Sequence, residues 1–200
     1  MAGNAEQHKS EKQRVKASVD RRKEAAQREK GLIIVHTGAG KGKTTAAMGM
    51  ALRCIGHGMK VAIIQFVKGA IPTGEERVLR QLSHDVTFLR MGEGFTWETQ
   101  DRERDIQAAR KAWDTALTYL RDPAYGMVIL DELNIVLRND YLPLEEVLEA
   151  LRSKPEMLHV VITGRSAKKE LMEAADLVTE MGLIKHPFRA GIKAQKGVDL

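Results

Sequence analysis

A glycine-rich segment with two lysines and two threonines carries the clearest chemistry in the sequence. It reads Gly38-Ala39-Gly40-Lys41-Gly42-Lys43-Thr44-Thr45. Its glycines let the backbone turn so that successive N–H groups point at one anion, and a helix that begins there adds its positive end. Lys43 can reach the β- and γ-phosphates, and the Thr44 hydroxyl can bind Mg²⁺. The segment is typical of a P-loop and predicts that residues 38–45 bind ATP.

This P-loop departs from the usual spacing at its first glycine. The general pattern places four residues between its two glycines. Here three residues separate Gly38 from Gly42, and Thr37 stands where the pattern has its first glycine. We therefore expect the phosphates to bind in a variant pose.

An acidic pair, Asp131 and Glu132, follows the apolar run 127–130. An apolar strand that ends in Asp-Glu is the usual partner of a P-loop. Asp131 can hold Mg²⁺ directly or through water, and Glu132 can ligate the metal or orient a nucleophile. Thr44, Asp131 and Glu132 are therefore the candidate metal ligands, with Mg²⁺ as the expected ion and Mn²⁺ as a substitute.

Short apolar runs alternate with amphipathic stretches along residues 31–200, and this order predicts an α/β fold. We expect a P-loop NTPase-like, doubly wound, mainly parallel sheet with helices on both faces. Ligands bind such sheets beyond the carboxyl ends of the strands, where the P-loop and the acidic pair lie. Gly49, inside the helix after the P-loop, is expected to pack closely against a strand. The predicted strands are 32–35, 61–64, 86–89, 127–130, 159–162 and 177–178, and predicted helices run from the P-loop to Gly56 and over 75–82, 101–121, 143–151 and 167–175.

The net charge of +5 is concentrated in residues 1–30, which hold nine basic and five acidic side chains. Residues 1–30 are predicted to be a polar basic tail, either solvated or a helix that orders over a ligand as a lid. Residues 31–200 are predicted to form one nearly neutral domain, which argues against nucleic acid as a partner. A single cysteine, no secretory signal and no apolar run long enough to span a bilayer predict a cytoplasmic protein with no membrane partner.

Two aromatic side chains, Phe95 and Trp97, lie in a polar, glycine-flanked loop outside any helical stripe. They either pack this loop onto the core or offer a flat apolar surface to a planar ligand. The residue pattern leaves both possibilities open.

Residues 31–200 resemble the P-loop ATP:corrinoid adenosyltransferases, and the shortened P-loop is the form found in that family. Besides the P-loop, the resemblance rests on segments spread through the chain. These are Gln65–Gly69, Gly94–Thr99, Leu130–Leu133, Asp140–Val147, Thr163–Arg165, Lys185–His186, Gly191–Gln195 and Gly197.

The resemblance implies an enzyme that transfers the 5′-deoxyadenosyl group of ATP to the Co(I) centre of a corrinoid. Triphosphate leaves, and adenosylcobalamin is the product. Lys43 and the other P-loop groups would stabilise the leaving triphosphate. Thr44 and Glu132 would ligate Mg²⁺ with Asp131 close by, and Arg165 would contact phosphate or ribose unless it is an ordinary surface arginine.

The resemblance also implies that Phe95 and Trp97 lie beneath the corrin and displace its lower axial base. It further implies a reduced flavoprotein as electron donor and a homodimer. From the residues alone, two other functions stay open. One is a P-loop ATPase or phosphotransferase in which Glu132 orients water or a hydroxyl; the other is a non-enzymatic module that binds nucleic acid through the tail.

Overall fold

A computed structural model describes residues 2–67, 73–82, 85–92 and 101–198, with side chains from residue 7 onward. The chain divides into two compact units, Met1–Lys30 and Gly31–Leu200. The first unit contains helix α1, Ala2–Ala25. Its only apolar side chains besides alanines and Met1 are Val15 and Val19, and both are exposed. This helix therefore has no apolar face with which to build a core.

The second unit is built on a six-stranded sheet in the order β3-β2-β4-β5-β1-β6. All pairings between these strands are parallel, which confirms the predicted sheet. The strand order places β5 between β1, which leads into the P-loop, and β4, which ends in the acidic pair. The strands are β1 Ile33–Thr37, β2 Lys60–Gln65, β3 Val86–Arg90, β4 Tyr125–Asp131, β5 His159–Thr163 and β6 Leu177–Glu180.

Helices cover both faces of the sheet, as predicted. Alternate strand residues point to opposite faces, so β1 sends Ile34 to one core and Val35 to the other. Helices α2 and α3 pack on the face of Ile34, and the later helices pack on the face of Val35. The helices are α2 Lys43–Gly56, α3 Gly74–Leu82, α4 Arg102–Leu120, α5 Leu133–Arg138, α6 Leu144–Arg152, α7 Lys169–Ala174 and a 3₁₀ turn at Pro187–Ala190.

Two features of the helices differ from the sequence-based expectations. The short helix α5 was not predicted; it follows β4 directly, and its N-cap, Glu132, makes no side-chain capping hydrogen bond. Gly49 does not pack against a strand, because a Cβ built there would meet no described atom within 4 Å. In the described ranges, no helix is long and apolar enough to cross a bilayer.

Candidate active site

The P-loop joins the end of β1 to the start of α2, at the carboxyl edge of the sheet. Gly38 and Gly42 both have positive φ, 96° and 106°, which glycine adopts without strain. Gly42 caps α2 without a side-chain hydrogen bond, so the N–H groups of the first helical turn face the loop. Ala39, Lys41, Gly42 and Thr45 are exposed at the same edge. This geometry suits an anion bound at the positive end of α2.

The backbone of Met181 and Gly182, which follow β6, packs directly against the glycines of the P-loop. The Gly40 N–H donates to the Met181 carbonyl at 2.7 Å, and the Met181 N–H donates to the Thr37 carbonyl at 2.9 Å. A Cβ on Gly38 would lie 2.4 Å from the Met181 carbonyl oxygen, so only glycine fits there. The Thr37 hydroxyl accepts from the Ala167 N–H at 3.0 Å. Thr37 is thus the last residue of β1, and its hydroxyl connects this strand to the loop after β5. The turn of the P-loop begins only at Gly38.

Lys43 is buried, and its ammonium lies over the loop. It donates to the Gly38 carbonyl at 2.8 Å and also to the Gly40 carbonyl. Burial lowers the pKa of Lys43, the charges of Arg165 and Lys41 lower it further, and the Glu132 carboxylate raises it. Two cations and one carboxylate therefore act on Lys43 at the P-loop, and a polyanion bound there would favour the charged form of Lys43.

A hydrogen bond connects Thr44, in the first turn of α2, to Asp131, the last residue of β4. The Thr44 hydroxyl donates to Asp131 Oδ1 at 2.8 Å, and the Gln65 amide donates to Asp131 Oδ2 at 2.8 Å. Thr163 also donates to Asp131 Oδ1, at 2.7 Å. Asp131, Gln65 and Thr163 are fully or almost fully buried. Both oxygens of the Asp131 carboxylate thus accept hydrogen bonds from the elements around it.

Glu132 turns the chain from β4 into α5 in a left-handed conformation, with φ 65°. Its N–H donates to the Thr163 hydroxyl at 2.9 Å. A Cβ on Gly164 would lie 3.0 Å from Glu132 Oε2, so the carboxylate lies against the loop after β5. That loop is tied to β1 by Asn134, whose amide donates to the carbonyls of Gly164 and His36 at 3.0 and 3.4 Å.

The oxygen donors of this edge fit a magnesium ion. Mg²⁺ in nucleotide sites is held by one or two carboxylates together with phosphate oxygens and water. Thr44 and Asp131 are in direct contact, and Glu132 follows Asp131 in the chain. Elsewhere in the described part of the chain, as here, no cluster of three or more His, Cys, Asp or Glu side chains could hold a metal alone. The donor set therefore suits an ion that arrives with a nucleotide.

Among the predicted site residues, the structure brings together the P-loop, the acidic pair and the exposed Arg165. Phe95 and Trp97, and the resemblance segment at Lys68 and Gly69, lie outside the described residues.

Comparison with known proteins identifies the family of this chain. Residues 29–200 match the family described as ATP:corrinoid adenosyltransferase BtuR/CobO/CobP. The chain belongs to this family. It is similar to the corrinoid adenosyltransferase of Pseudomonas aeruginosa, at 53% identity over 194 residues that cover 97% of this chain and 96% of that protein. It is also similar to those of Sinorhizobium, at 59% identity over 86% and 81% of the two chains, and of Escherichia coli K12, at 50% identity over 97% and 98%.

Family membership confirms the resemblance drawn from the motifs, but three residues that contact the site were not predicted as site residues. Gln65 and Thr163 end buried strands beside the acidic pair, and both lie within segments on which the resemblance was based. Their position at the carboxyl ends of predicted strands was the signal that could have found them. Met181 carried no such signal, because its role in the P-loop is played by its backbone.

Proposed function

We propose that this chain transfers the 5′-deoxyadenosyl group of ATP to the Co(I) centre of a corrinoid. Cobalt supplies the electron pair and forms a bond to C5′ of ATP. The bond between C5′ and O5′ breaks, the pair goes to oxygen, and triphosphate leaves. The match of residues 29–200 to the adenosyltransferase family carries this proposal, because a P-loop by itself identifies what is bound and not what is done.

Catalysis on the ATP side would then consist of positioning and of stabilising charge on the leaving triphosphate. The open N-terminus of α2, the Lys43 ammonium and the exposed Lys41 are suited to that task. Arg165 is close enough to lower the pKa of Lys43, and we propose that it contacts the same phosphates. No protein base is needed, since the nucleophile is already electron-rich.

Thr44 and Glu132 would hold Mg²⁺ or Mn²⁺ together with phosphate oxygens. Asp131 would act mainly by orienting Thr44 and a metal-bound water, because hydrogen bonds already engage both of its oxygens. The ion would supply a template and a charge clamp for the triphosphate.

The corrinoid side of the site rests on Phe95 and Trp97. We expect these rings to lie beneath the corrin and displace the lower axial base, which makes Co(II) easier to reduce. Phe95→Ala and Trp97→Ala should then slow turnover of Co(II) substrate at least tenfold more than turnover of chemically reduced Co(I) substrate. Equal losses on both substrates would refute this role.

A corrinoid enzyme that uses Co(I) needs an electron donor, and a reduced flavoprotein is the class that we propose. We also propose a homodimer working in the cytoplasm, with residues 31–200 as the adenosyltransferase domain and residues 1–30 as a tail that folds over bound corrinoid.

The deciding experiment is an assay with cob(I)alamin and Mg·ATP in which both products are identified. Formation of adenosylcobalamin and intact triphosphate in equal amounts is expected. Release of ADP and phosphate without a cobalt–carbon bond would instead support an ATPase or phosphotransferase and overturn the proposal.

A further inference from the structure

Thr163, the last residue of β5, forms hydrogen bonds with both members of the acidic pair. The strand order places β5 between β1 and β4, with Leu130 paired to Ile162 and His36 paired to Thr163. The Thr163 side chain is fully buried at the carboxyl end of this central strand. It therefore lies between the strand of the P-loop and the strand of the acidic pair.

The hydroxyl of Thr163 makes two bonds of opposite direction. It accepts from the Glu132 N–H at 2.9 Å and donates to Asp131 Oδ1 at 2.7 Å. A backbone N–H can only donate and a hydroxyl has a single donor hydrogen, so the hydroxyl accepts from Glu132 and directs its hydrogen to Asp131. One oxygen atom thus links the backbone of Glu132 to the side chain of Asp131.

The first of these bonds holds an unfavourable backbone conformation. Glu132 has φ 65°, a region that non-glycine residues enter at an energetic cost and keep only where surroundings enforce it. This turn decides the direction in which the Glu132 side chain leaves the backbone. Without the Thr163 hydroxyl, the partly buried Glu132 N–H would lose this hydrogen bond and the turn would lose a restraint.

The second bond acts on the P-loop through Asp131. Oδ1 of Asp131 accepts from Thr163 and from Thr44, while Oδ2 accepts from Gln65. Donors on both oxygens fix the plane of the carboxylate, and that plane orients the Thr44 hydroxyl. We propose that Thr163 is a positioning residue that sets the geometry of Thr44 and Glu132 for magnesium together.

This inference rests on the proposed roles of Thr44 and Glu132 as Mg²⁺ ligands, and its test separates the two. The dissociation constant of ATP is measured by calorimetry on the full chain, with excess Mg²⁺ and with EDTA. The ratio of the two constants reports the gain in ATP affinity that Mg²⁺ provides. The variants are Thr163→Val, which keeps the shape but removes the hydroxyl, Thr163→Ser, which keeps the hydroxyl, and Glu132→Gln.

Thr163→Val should reduce the ratio at least fivefold, while its affinity for ATP in EDTA stays within twofold of the wild-type value. Thr163→Ser should keep the ratio within twofold of wild type. If valine does not pack, Thr163→Ala removes the same hydroxyl with a smaller side chain. A wild-type ratio in the variants without the hydroxyl, a serine variant as impaired as these, or an equal loss of affinity in EDTA would overturn the inference.

Glu132→Gln separates the positioning role of Thr163 from the magnesium assignment on which that role rests. If it lowers the ratio and Thr163→Val does not, only the role of Thr163 is wrong. If Glu132→Gln leaves the ratio unchanged, the magnesium assignment is wrong, and the inference about Thr163 is overturned with it.

Discussion

Lys43 combines a buried position with a charge, and the P-loop carbonyls accept its hydrogen bonds. Burial in a site of low polarity strengthens the attraction between an ammonium and a developing negative charge. The same burial lowers the pKa of Lys43, which Glu132 partly opposes. The protein thus holds a desolvated cation where the leaving triphosphate would gain charge.

Lys43→Ala should lower the adenosylation rate by roughly 10²–10³, the usual effect of removing one well-placed donor to developing negative charge. Lys41→Ala is the matched control, because Lys41 belongs to the same loop but is exposed to water. Its loss should stay below about tenfold, since solvent screens its charge. Steady-state assays on both variants, each checked by thermal melting, test the difference; equal losses would contradict a special role for Lys43.

His36 precedes the P-loop on β1 and is almost completely buried. Neither of its ring nitrogens has a hydrogen-bond partner among the described residues. Burial lowers the pKa of His36 from the ordinary value of 6.5. Between the lowered pKa and 6.5 the unfolded chain binds a proton that the folded chain does not, so the free energy of unfolding falls as the pH falls through this window.

His36→Phe should therefore reduce the loss of stability on acidification below pH 6.5. One such group contributes a slope of at most about 1.4 kcal/mol per pH unit. Urea unfolding of the wild type and the variant at a series of pH values measures the slope. His159, whose pKa is also lowered by burial, remains in both proteins and maintains part of it. Identical slopes in the two proteins would show that His36 does not titrate during unfolding.

At the scale of single elements, helix α2 contains an unexplained glycine. Gly49 lies in the helix interior, where glycine costs about 1 kcal/mol relative to alanine. Because a Cβ would meet no described atom within 4 Å, Gly49→Ala should raise the free energy of unfolding by roughly that amount. Urea midpoints at constant slope measure the change.

Gly31→Ala is the matched control for the same substitution in a crowded place. Its Cβ would lie 2.1 Å from the Leu158 carbonyl oxygen, so the backbone would have to move. We expect a destabilisation of about 1–3 kcal/mol. If Gly49→Ala instead lowered the free energy of unfolding, the added methyl group would have to clash with another part of the protein on this face of α2.

Most elements could be predicted from the sequence, because a buried strand needs a continuous apolar run and a helix needs a periodic stripe. The predicted strand 127–130 and the predicted helix 101–121 lie close to the observed bounds of β4, Tyr125–Asp131, and α4, Arg102–Leu120. Helix α5 escaped prediction because six residues are too few to display a period. Its N-cap residue, Glu132, donates its N–H to the Thr163 hydroxyl, which lies 31 residues away in the chain.

The order of the strands in the sheet could not be predicted from the hydrophobic periodicity of the sequence. Strands that follow each other in sequence usually lie side by side, yet β1 and β2 are separated here by β4 and β5. Because β4 lies between β2 and β5, Gln65 and Thr163 lie on either side of Asp131. The P-loop and acidic pair were predictable as local motifs, whereas the network joining them depends on the arrangement of the sheet.

Residues 1–30 carry most of the net charge of the chain but contribute no described side chain to its hydrophobic cores. Among the described residues, both hydrophobic cores consist of residues between Leu32 and Ala175, and neither contains a described side chain of α1. The nine basic and five acidic side chains of residues 1–30 account for four of the five net positive charges. Removing this segment therefore takes away charge and helix α1 but no described residue of either core.

A variant beginning at Gly31 should melt within about 2 °C of the full chain and bind Mg·ATP within twofold of its affinity, because the P-loop and both cores are intact. If residues 1–30 cover bound corrinoid, as proposed, its adenosylation rate should fall while ATP affinity does not. An unchanged rate would exclude that role for the tail. Nucleic-acid binding that depends steeply on salt, present in the full chain and absent from the variant, would instead make the tail a polyanion-binding arm.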